Sequence, residues 1–198
     1  MQYFNTLPKV VYFDQYGVAT VRTNILARAS VLSNLLKDPL IYYQYDIQEG
    51  DTPEIVAHKY YGDPYRYWIV LLANQIIDPY WDWPLSGNNL NNYITDKYKE
   101  FNPYSTAHHY EKIIEQTDVS TNTVTKNTII IDENTYNTVV TGISTYTLPT
   151  GVVSLKTSVR AVDYYTYELE LNESKRNIQL LNKDYVNEFE VELRKLMN

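Results

Sequence analysis

The feature that most constrains the fold is a strand–helix–helix pattern between residues 45 and 74. Residues 45–47 alternate as a short strand does, and Gly50-Asp51-Thr52 predicts a turn that caps a following helix. Gly62-Asp63-Pro64 predicts the end of that helix, because glycine favours a left-handed C-cap and the residue before proline avoids helical backbone. A second helix over residues 65–73 completes the pattern. Helices this short depend on packing against a neighbouring element.

The segments around this pattern predict an α+β fold in four parts. Residues 1–44 form an arm with a short strand and a helix. Residues 45–101 hold a small strand–helix–helix core and a further helix that starts at Ser86. Residues 102–150 are rich in Thr, Asn, Val and Ile, which predicts a β-rich insertion of short antiparallel strands. Residues 151–198 predict a β-hairpin and a final helix.

Several element boundaries are specific predictions. Asn24 is an N-cap for a helix that runs to about Leu36. Residues 165–171 alternate between large apolar and polar side chains, which is typical of a half-buried strand, and a second strand follows around Ile178. Asp184 caps the final helix, whose apolar stripe includes Phe189 and Leu193.

Composition excludes several classes of protein. The chain has no cysteine, so disulfides and thiolate metal sites are excluded and a reducing cytoplasm is tolerated. A net charge of -7 argues against binding to a nucleic-acid backbone. No apolar run is long enough for a membrane span, and no secretory signal is expected. The 21 tyrosines beside 4 phenylalanines indicate either a protein rich in interfaces or a compositional habit.

No pattern indicates catalysis, a cofactor or a metal. The sequence has no glycine-rich phosphate loop, nucleophile elbow or zinc-protease motif. His58 is expected on a solvated helix face. His108 and His109 are adjacent, so on a regular strand they point to opposite faces and cannot share a metal ion. We therefore expect that the chain is not an enzyme.

Aromatic side chains are the candidate anchors for a partner. Tyr80, Trp81 and Trp83 lie in a proline-flanked stretch, and both tryptophans would point the same way if that stretch were extended. Partner contact and core packing are both open for these tryptophans. Phe189 and Leu193 are a second candidate that equally fits the internal core. Trp68 is expected in the core.

The strand–helix–helix pattern resembles the LysM module. That signature combines a strand, a Gly-Asp-Thr turn, Ile-x-Ala in the first helix and a terminal asparagine. The turn and its neighbours suggest that Ile55 packs the first helix on the strand. LysM modules close with a second strand, and here residues 77–85 take that place. The matching residues are Tyr45, Gly50, Asp51, Thr52, Ile55, Ala57, Gly62 and Asn74.

A longer stretch is similar to the LysM-like baseplate wedge protein of contractile-tailed phages. This resemblance covers about residues 24–101 and 155–197 and leaves out the Thr/Asn-rich middle. Motifs that carry it include Tyr67-Trp68, Asp78-Pro79-Tyr80 and Ala161-Val162-Asp163. It implies a virion protein of the tail baseplate, made in the host bacterial cytoplasm. The family implies contacts with wedge core proteins and a role in joining neighbouring wedges around the hub.

The alternative function is a LysM-type module that binds peptidoglycan or another glycan. Enzymes that carry such modules also carry a catalytic domain and a linker, and this chain has structured sequence on both sides of the pattern. The sequence therefore favours an assembly protein whose partners are other baseplate proteins. We expect several separate contact patches, with glycan, nucleic acid and membrane not among the partners.

Overall fold

The computed structural model describes residues 3–27, 40–149 and 151–197. It is an α+β protein of small antiparallel sheets and short helices, which confirms the predicted class. The chain divides into two compact units. The first unit contains Met1–Gly87 and Glu173–Asn198, and the second contains Asn88–Asn172. Along the sequence, the second unit is thus inserted into the first.

A 3-10 turn (Tyr3–Thr6) and a two-stranded hairpin begin the first unit. β1 (Lys9–Phe13) pairs antiparallel with β2 (Ala19–Thr23), which confirms the predicted strand. Asp14 holds the turn, because its carboxylate accepts hydrogen bonds from the backbone N–H groups of Tyr16 and Val18, both at 2.9 Å.

The helix predicted from Asn24 to Leu36 falls mostly on residues 28–39, which lie outside the described residues. Its predicted cap is described. The side chain of Asn24 accepts a hydrogen bond from the backbone N–H of Leu26 at 3.1 Å and forms a turn.

The centre of the first unit is a strand–helix–helix arrangement closed by a distant strand. β3 (Tyr42–Asp46) leads through a turn into α1 (Pro53–Tyr61), and α2 (Tyr67–Ala73) follows a 3-10 turn (Pro64–Arg66). The antiparallel partner of β3 is a strand formed by Asn177–Leu181 (β8). Residues 77–85 do not provide this strand, since they contain a short helix, α3 (Pro79–Asp82).

The ends of α1 follow the predicted signals. The side chain of Thr52 accepts a hydrogen bond from the backbone N–H of Ile55, and Pro53 occupies the first helical position. At the other end Gly62 adopts φ +73°, a left-handed conformation that favours glycine. The predicted break between the two helices is therefore confirmed.

The core of the first unit consists of two adjoining clusters that share Tyr61 and Tyr67. Trp68 is buried in one of them, as predicted. The C-terminal helix α7 (Val186–Met197) packs on that cluster through its apolar stripe. Its predicted cap is wrong: Asn182, not Asp184, caps the 3-10 turn that leads into α7. The cluster contains Leu7, Trp68, Ile69, Leu181, Val186, Leu193 and Met197.

The second unit is built on a four-stranded antiparallel sheet. Its strands are β4 (Ala107–Asp118), β5 (Thr123–Ile131), β6 (Gly142–Leu148) and β7 (Gly151–Asp163). They lie in the order β5-β4-β7-β6 and are longer than the short strands predicted. Because β7 begins at Gly151, the sheet continues past the predicted end of the insertion at residue 150. Helix α4 (Gly87–Lys97) begins at the boundary between the units, and α5 (Glu133–Thr138) lies between β5 and β6 in the sequence.

The strand predicted over residues 165–171 is wrong, because these residues lie in α6 (Tyr164–Glu173). Asp163 starts the helix by accepting a hydrogen bond from the backbone N–H of Thr166 at 2.6 Å. The buried face of α6 carries Glu168 and Asn172, spaced one helical turn apart. Alternation of apolar residues thus concealed a helix whose buried residues are polar.

Candidate partner interface

Residues 76–83, here called the aromatic segment, connect α2 to the loop before α4 and contain α3. Two aspartates fix its backbone. Asp78 caps α3 by accepting a hydrogen bond from the N–H of Tyr80 at 3.0 Å. Asp82 accepts from the N–H groups of Ile77 (3.2 Å) and Asp78 (3.1 Å). A single helical turn is marginal on its own, so these bonds hold its shape.

Two further bonds attach the aromatic segment to the rest of the first unit. The indole Nε1 of Trp83 donates to the backbone carbonyl of Asp51 at 2.8 Å, and Trp83 is buried. The Nζ of Lys175 donates to the carbonyl of Trp81 at 2.6 Å. The segment is therefore anchored at its C-terminal end on both the turn before α1 and the loop before β8.

The anchored segment presents large apolar groups to solvent. Ile77 is 80% exposed, Tyr80 is 84% exposed and Trp81 is 57% exposed. A pocket of about 320 Å³ is lined in part by Ile76 and Asp82 of the same segment. Exposed aromatic side chains on a fixed backbone next to a pocket are typical of an anchor region in a protein–protein interface. The pocket is lined by Asn74, Gln75, Ile76, Asp82, Lys175, Asn177 and Ile178.

The other candidate anchors are core residues. Trp83 is 6% exposed and Leu193 is 4% exposed, and Phe189 is half-buried with its ring stacked on that of Trp68 (centroids 6.0 Å apart). The two tryptophans do not lie in one extended stretch, because Trp81 is within α3 and Trp83 follows the helix in extended conformation. Of the five candidate anchors, Tyr80 and Trp81 are thus the exposed ones.

The turn before α1 contains a polar cluster around the buried carboxylate of Asp51. The carboxylate of Asp51 accepts hydrogen bonds from the hydroxyl of Tyr45 (2.7 Å), the Nζ of Lys59 (2.6 Å) and the N–H of Gln48 (3.3 Å). Burial raises the pKa of Asp51, but these three donors outweigh it and the net pKa is lowered. Burial and the Asp51 carboxylate raise the pKa of Tyr45 to about 12. Gly50 has φ +82°, which the turn requires.

The remaining motif residues have structural positions. Ala57 is buried against the strands, whereas Ile55 is 41% exposed, so the expectation that Ile55 packs α1 on the strand is wrong. Val56 takes that place because the buried face of α1 lies one residue further on. Asn74 bridges α2 and β8: its amide donates to the carbonyls of Val70 and Gln179, and its oxygen accepts from the N–H of Gln179, each at 2.8 Å.

The hairpin of β1 and β2 is a second exposed apolar surface, which the sequence did not single out. Val11 and Val21 are opposite each other on one face, with Phe13 beside them. Val11 is 59%, Phe13 64% and Val21 68% exposed. The signal was the unbroken run of large apolar and aromatic residues along β1, but such a run alone does not tell a buried strand from an exposed one.

The histidine pair differs from the prediction. The Nδ1 atoms of His108 and His109 are 2.8 Å apart, because a register irregularity between Ala107 and His109 interrupts the strand alternation. His109 contacts Glu111 and His108 stacks on Tyr167. In the described part of the chain, no three His, Cys, Asp or Glu side chains are grouped to hold a metal ion. None of the described helices has both the length and the hydrophobicity for a membrane span.

Comparisons with known proteins identify relatives for nearly the whole chain. A family model described as "Base plate wedge protein 53" matches residues 22–196. The baseplate wedge protein gp53 of Enterobacteria phage T4 is 28% identical over 198 aligned residues, which cover 94% of each chain. The family match runs from β2 to α7 and therefore includes residues of both units.

Proposed function

Since the chain belongs to the base plate wedge protein 53 family, we propose that it contacts wedge core subunits and joins adjacent wedges around the hub during tail assembly. Membership makes the chain a structural component of a phage tail baseplate and not an enzyme. As a wedge protein it binds other baseplate proteins. We assign these contacts to particular surfaces of the chain.

The observation that carries the proposal is the aromatic segment. Its backbone is held by the side chains of Asp78, Asp82 and Lys175, so docking a partner requires little ordering of the chain. Tyr80 and Trp81 then supply large contact areas with polar tips, which suits a surface that is solvated before assembly. We place a partner side chain in the adjacent pocket, which is lined in part by Ile76 and Asp82 of the segment.

Separate patches support a joining role. The hairpin face of Val11, Phe13 and Val21 is exposed as well, and a two-stranded hairpin alone is only marginally stable in water. We expect it to gain stability when a partner covers it. Two weak sites on one body bind with an avidity about a hundredfold or more above that of either site when both are engaged. Such a protein holds firmly after neighbouring wedges meet.

The scaffold under the aromatic segment resembles a LysM-like core. The arrangement β3–α1–α2 with the antiparallel strand β8 supports this part of the proposal. In this proposal the closing strand of the LysM-like module is β8, which follows the second unit in the sequence. The core then serves as a rigid base for partner contacts and not as a ligand site.

Glycan binding is the alternative function, and the first unit's own contacts oppose it. The turn before α1 is covered by the indole of Trp83, and the carboxylate of Glu49 accepts hydrogen bonds from Gly87 and Arg176. These groups occupy the turn that a ligand would have to reach. We expect no binding of N-acetylglucosamine oligomers in calorimetric titration. A micromolar dissociation constant would favour the glycan-binding alternative.

The direct test replaces the exposed anchors. We expect Tyr80→Ala with Trp81→Ala to leave the circular dichroism spectrum unchanged and to prevent production of infectious particles when the variant replaces the natural protein. Truncating a central aromatic anchor commonly costs about 2 kcal/mol or more of binding free energy. The matched control is Tyr65→Ala, since Tyr65 is similarly exposed at 56%. A normal particle yield from the double variant would exclude these residues as the anchor.

A further inference from the structure

The sheet of the second unit has two outer strands, β5 and β6, and among the described residues neither pairs with a further strand. All seven residues of β6 are exposed. Ile143 is 70% exposed, Tyr146 is 52% exposed and Leu148 is 47% exposed. An outer strand of this kind offers unpaired backbone N–H and C=O groups to another strand.

Soluble proteins usually protect such an edge, and β6 lacks the usual protections. Charged side chains, proline within the strand and bulges are the common devices. Residues 134–155 contain no Asp, Glu, Lys, Arg or His, and Pro149 follows the strand instead of interrupting it. The pairing of β6 with β7 runs in unbroken register from Gly142 to Leu148. The edge is therefore unbroken in register along its length and uncharged.

The opposite edge of the same sheet is protected by charge. Lys126 lies in the middle of β5, so pairing this strand with its own copy brings two lysines close together. Charge is the main difference between the two edge strands, because both are otherwise rich in Thr and other β-branched residues. Of the two edges, only β6 pairs with itself without a charge penalty.

We infer that β6 pairs antiparallel with β6 of a second copy of this chain, which joins two four-stranded sheets across a two-fold axis. With Thr145 at the axis, Ser144 of one copy is opposite Tyr146 of the other, and Ile143 is opposite Thr147. These are aromatic or β-branched residues facing hydroxyl side chains, a combination that strand pairs tolerate well. An isologous contact of this kind uses the same strand twice.

The side chains next to β6 favour the same arrangement. Tyr146 is opposite Val153 and Ser144 is opposite Leu155, so these four residues share one face of the sheet. Pairing about the axis places this face beside its own copy and makes the apolar surface continuous. A single added strand is a small interface, so we expect a weak, concentration-dependent dimer. This inference concerns the isolated protein and does not depend on the proposed baseplate contacts.

The first experiment measures mass against concentration for the full-length protein by sedimentation. We expect the average mass to rise from the monomer value of 23.2 kDa towards twice that value. Thr145→Lys places two like charges at the axis and should weaken the dimer about tenfold or more. Thr128→Lys on β5 is the matched control and should leave the dimer unchanged. Circular dichroism confirms that both variants fold.

The second experiment uses the absence of cysteine from the chain. Single cysteines replace Ser144, Thr145 and Tyr146 in turn, and Thr128→Cys is the control. At an antiparallel two-fold axis a residue lies opposite its own copy within disulfide reach, so one of the three variants should form a covalent dimer on mild oxidation. A wild type that stays monomeric, a Thr145→Lys variant that dimerises like the wild type, or equal cross-linking of Thr128→Cys would each overturn the inference.

Discussion

Asp51 stabilises the turn between β3 and α1 through both its side chain and its backbone carbonyl. Its carboxylate is buried and accepts three hydrogen bonds, while its carbonyl accepts the indole N–H of Trp83. The same residue therefore fixes the start of α1 and the end of the aromatic segment. The sequence identified Asp51 from a turn signature, but the partners of its side chain lie up to eight residues away and had no local signal.

We predict that Asp51→Asn lowers the free energy of unfolding at pH 7 by about 2 kcal/mol, because hydrogen bonds to a charged group are stronger than those to a neutral one. The pKa of Asp51 is lowered in the folded state, so the carboxylate stabilises the protein above the ordinary aspartate pKa of about 3.9. That stabilisation is lost as the pH falls through the lower folded-state pKa.

Urea unfolding at pH 7 and at several acidic pH values tests this prediction. The wild type should lose more stability on acidification than Asp51→Asn does. Asp46→Asn is the matched control, since Asp46 is exposed at the end of β3. Equal pH dependence in the wild type and Asp51→Asn would show that the carboxylate contributes nothing as an ion.

A second prediction at this scale separates the two neighbouring tryptophans. Trp83→Ala should lower the free energy of unfolding by about 3–5 kcal/mol, because it empties a core position and leaves a buried carbonyl of Asp51 without its donor. Trp81→Ala should change it by less than about 0.5 kcal/mol, since Trp81 lies largely in solvent. Thermal unfolding followed by circular dichroism measures both. Similar losses from the two variants would contradict the assignment of one tryptophan to the core and the other to the surface.

At the scale of elements, local signals predicted the strand–helix–helix arrangement well. The cap at Thr52 and the left-handed Gly62 act over three or four residues, so the sequence itself records them. No local signal indicated which strand pairs with β3. β8 lies more than 130 residues after β3, and no periodicity in either strand specifies the other.

α6 shows how a pattern misleads when its buried residues are polar. Apolar residues at alternate positions predicted a strand over residues 165–171, but the face of α6 that is buried carries Glu168 and Asn172. The apolar alternation therefore did not mark the buried side of this segment, and it predicted the wrong type of element. The N-cap at Asp163 was the local signal that favoured a helix.

The side chain of Asn74 joins two elements, α2 and β8. Asn74→Ala removes two hydrogen bonds between α2 and β8 and a third within α2, and it leaves backbone groups of Val70 and Gln179 without these partners. We expect the free energy of unfolding to fall by about 2–3 kcal/mol. Urea unfolding measures the loss, and Asn187→Ala on the exposed face of α7 is the control. A loss no larger than that of the control would mean that Asn74 does not hold β8 in place.

At the scale of the molecule, the sequence indicated an insertion in the middle of the chain but placed its limits too narrowly. Residues 102–150 have the distinct Thr/Asn-rich composition, whereas the compact unit extends over Asn88–Asn172. The difference arises because the sheet also includes β7, which begins beyond residue 150, and the unit includes the helices α4 and α6 on either side of this stretch. Composition therefore located the insertion but not its ends.

The second unit has an ion pair of its own, in which only the carboxylate of Glu168 is buried. Glu168 is 3% exposed and accepts hydrogen bonds from the Nζ of Lys97 (2.8 Å) and the hydroxyl of Tyr98 (2.6 Å). Glu168→Ala leaves both donors without that carboxylate, and we expect it to destabilise the second unit by about 2 kcal/mol or more. Glu170→Ala, at a half-exposed position two residues further along α6, is the control.

The position of the tryptophans makes the two units separately observable. Trp68, Trp81 and Trp83 all lie in the first unit, so tryptophan emission reports the unfolding of that unit, whereas far-ultraviolet circular dichroism reports both units. We expect Glu168→Ala to lower the urea midpoint seen by circular dichroism and to leave the midpoint of tryptophan emission unchanged, because each unit has its own buried residues. Val70→Ala, which opens a cavity in the core of the first unit, should instead lower the emission midpoint. If Glu168→Ala moves both midpoints equally, the two units unfold as one cooperative body.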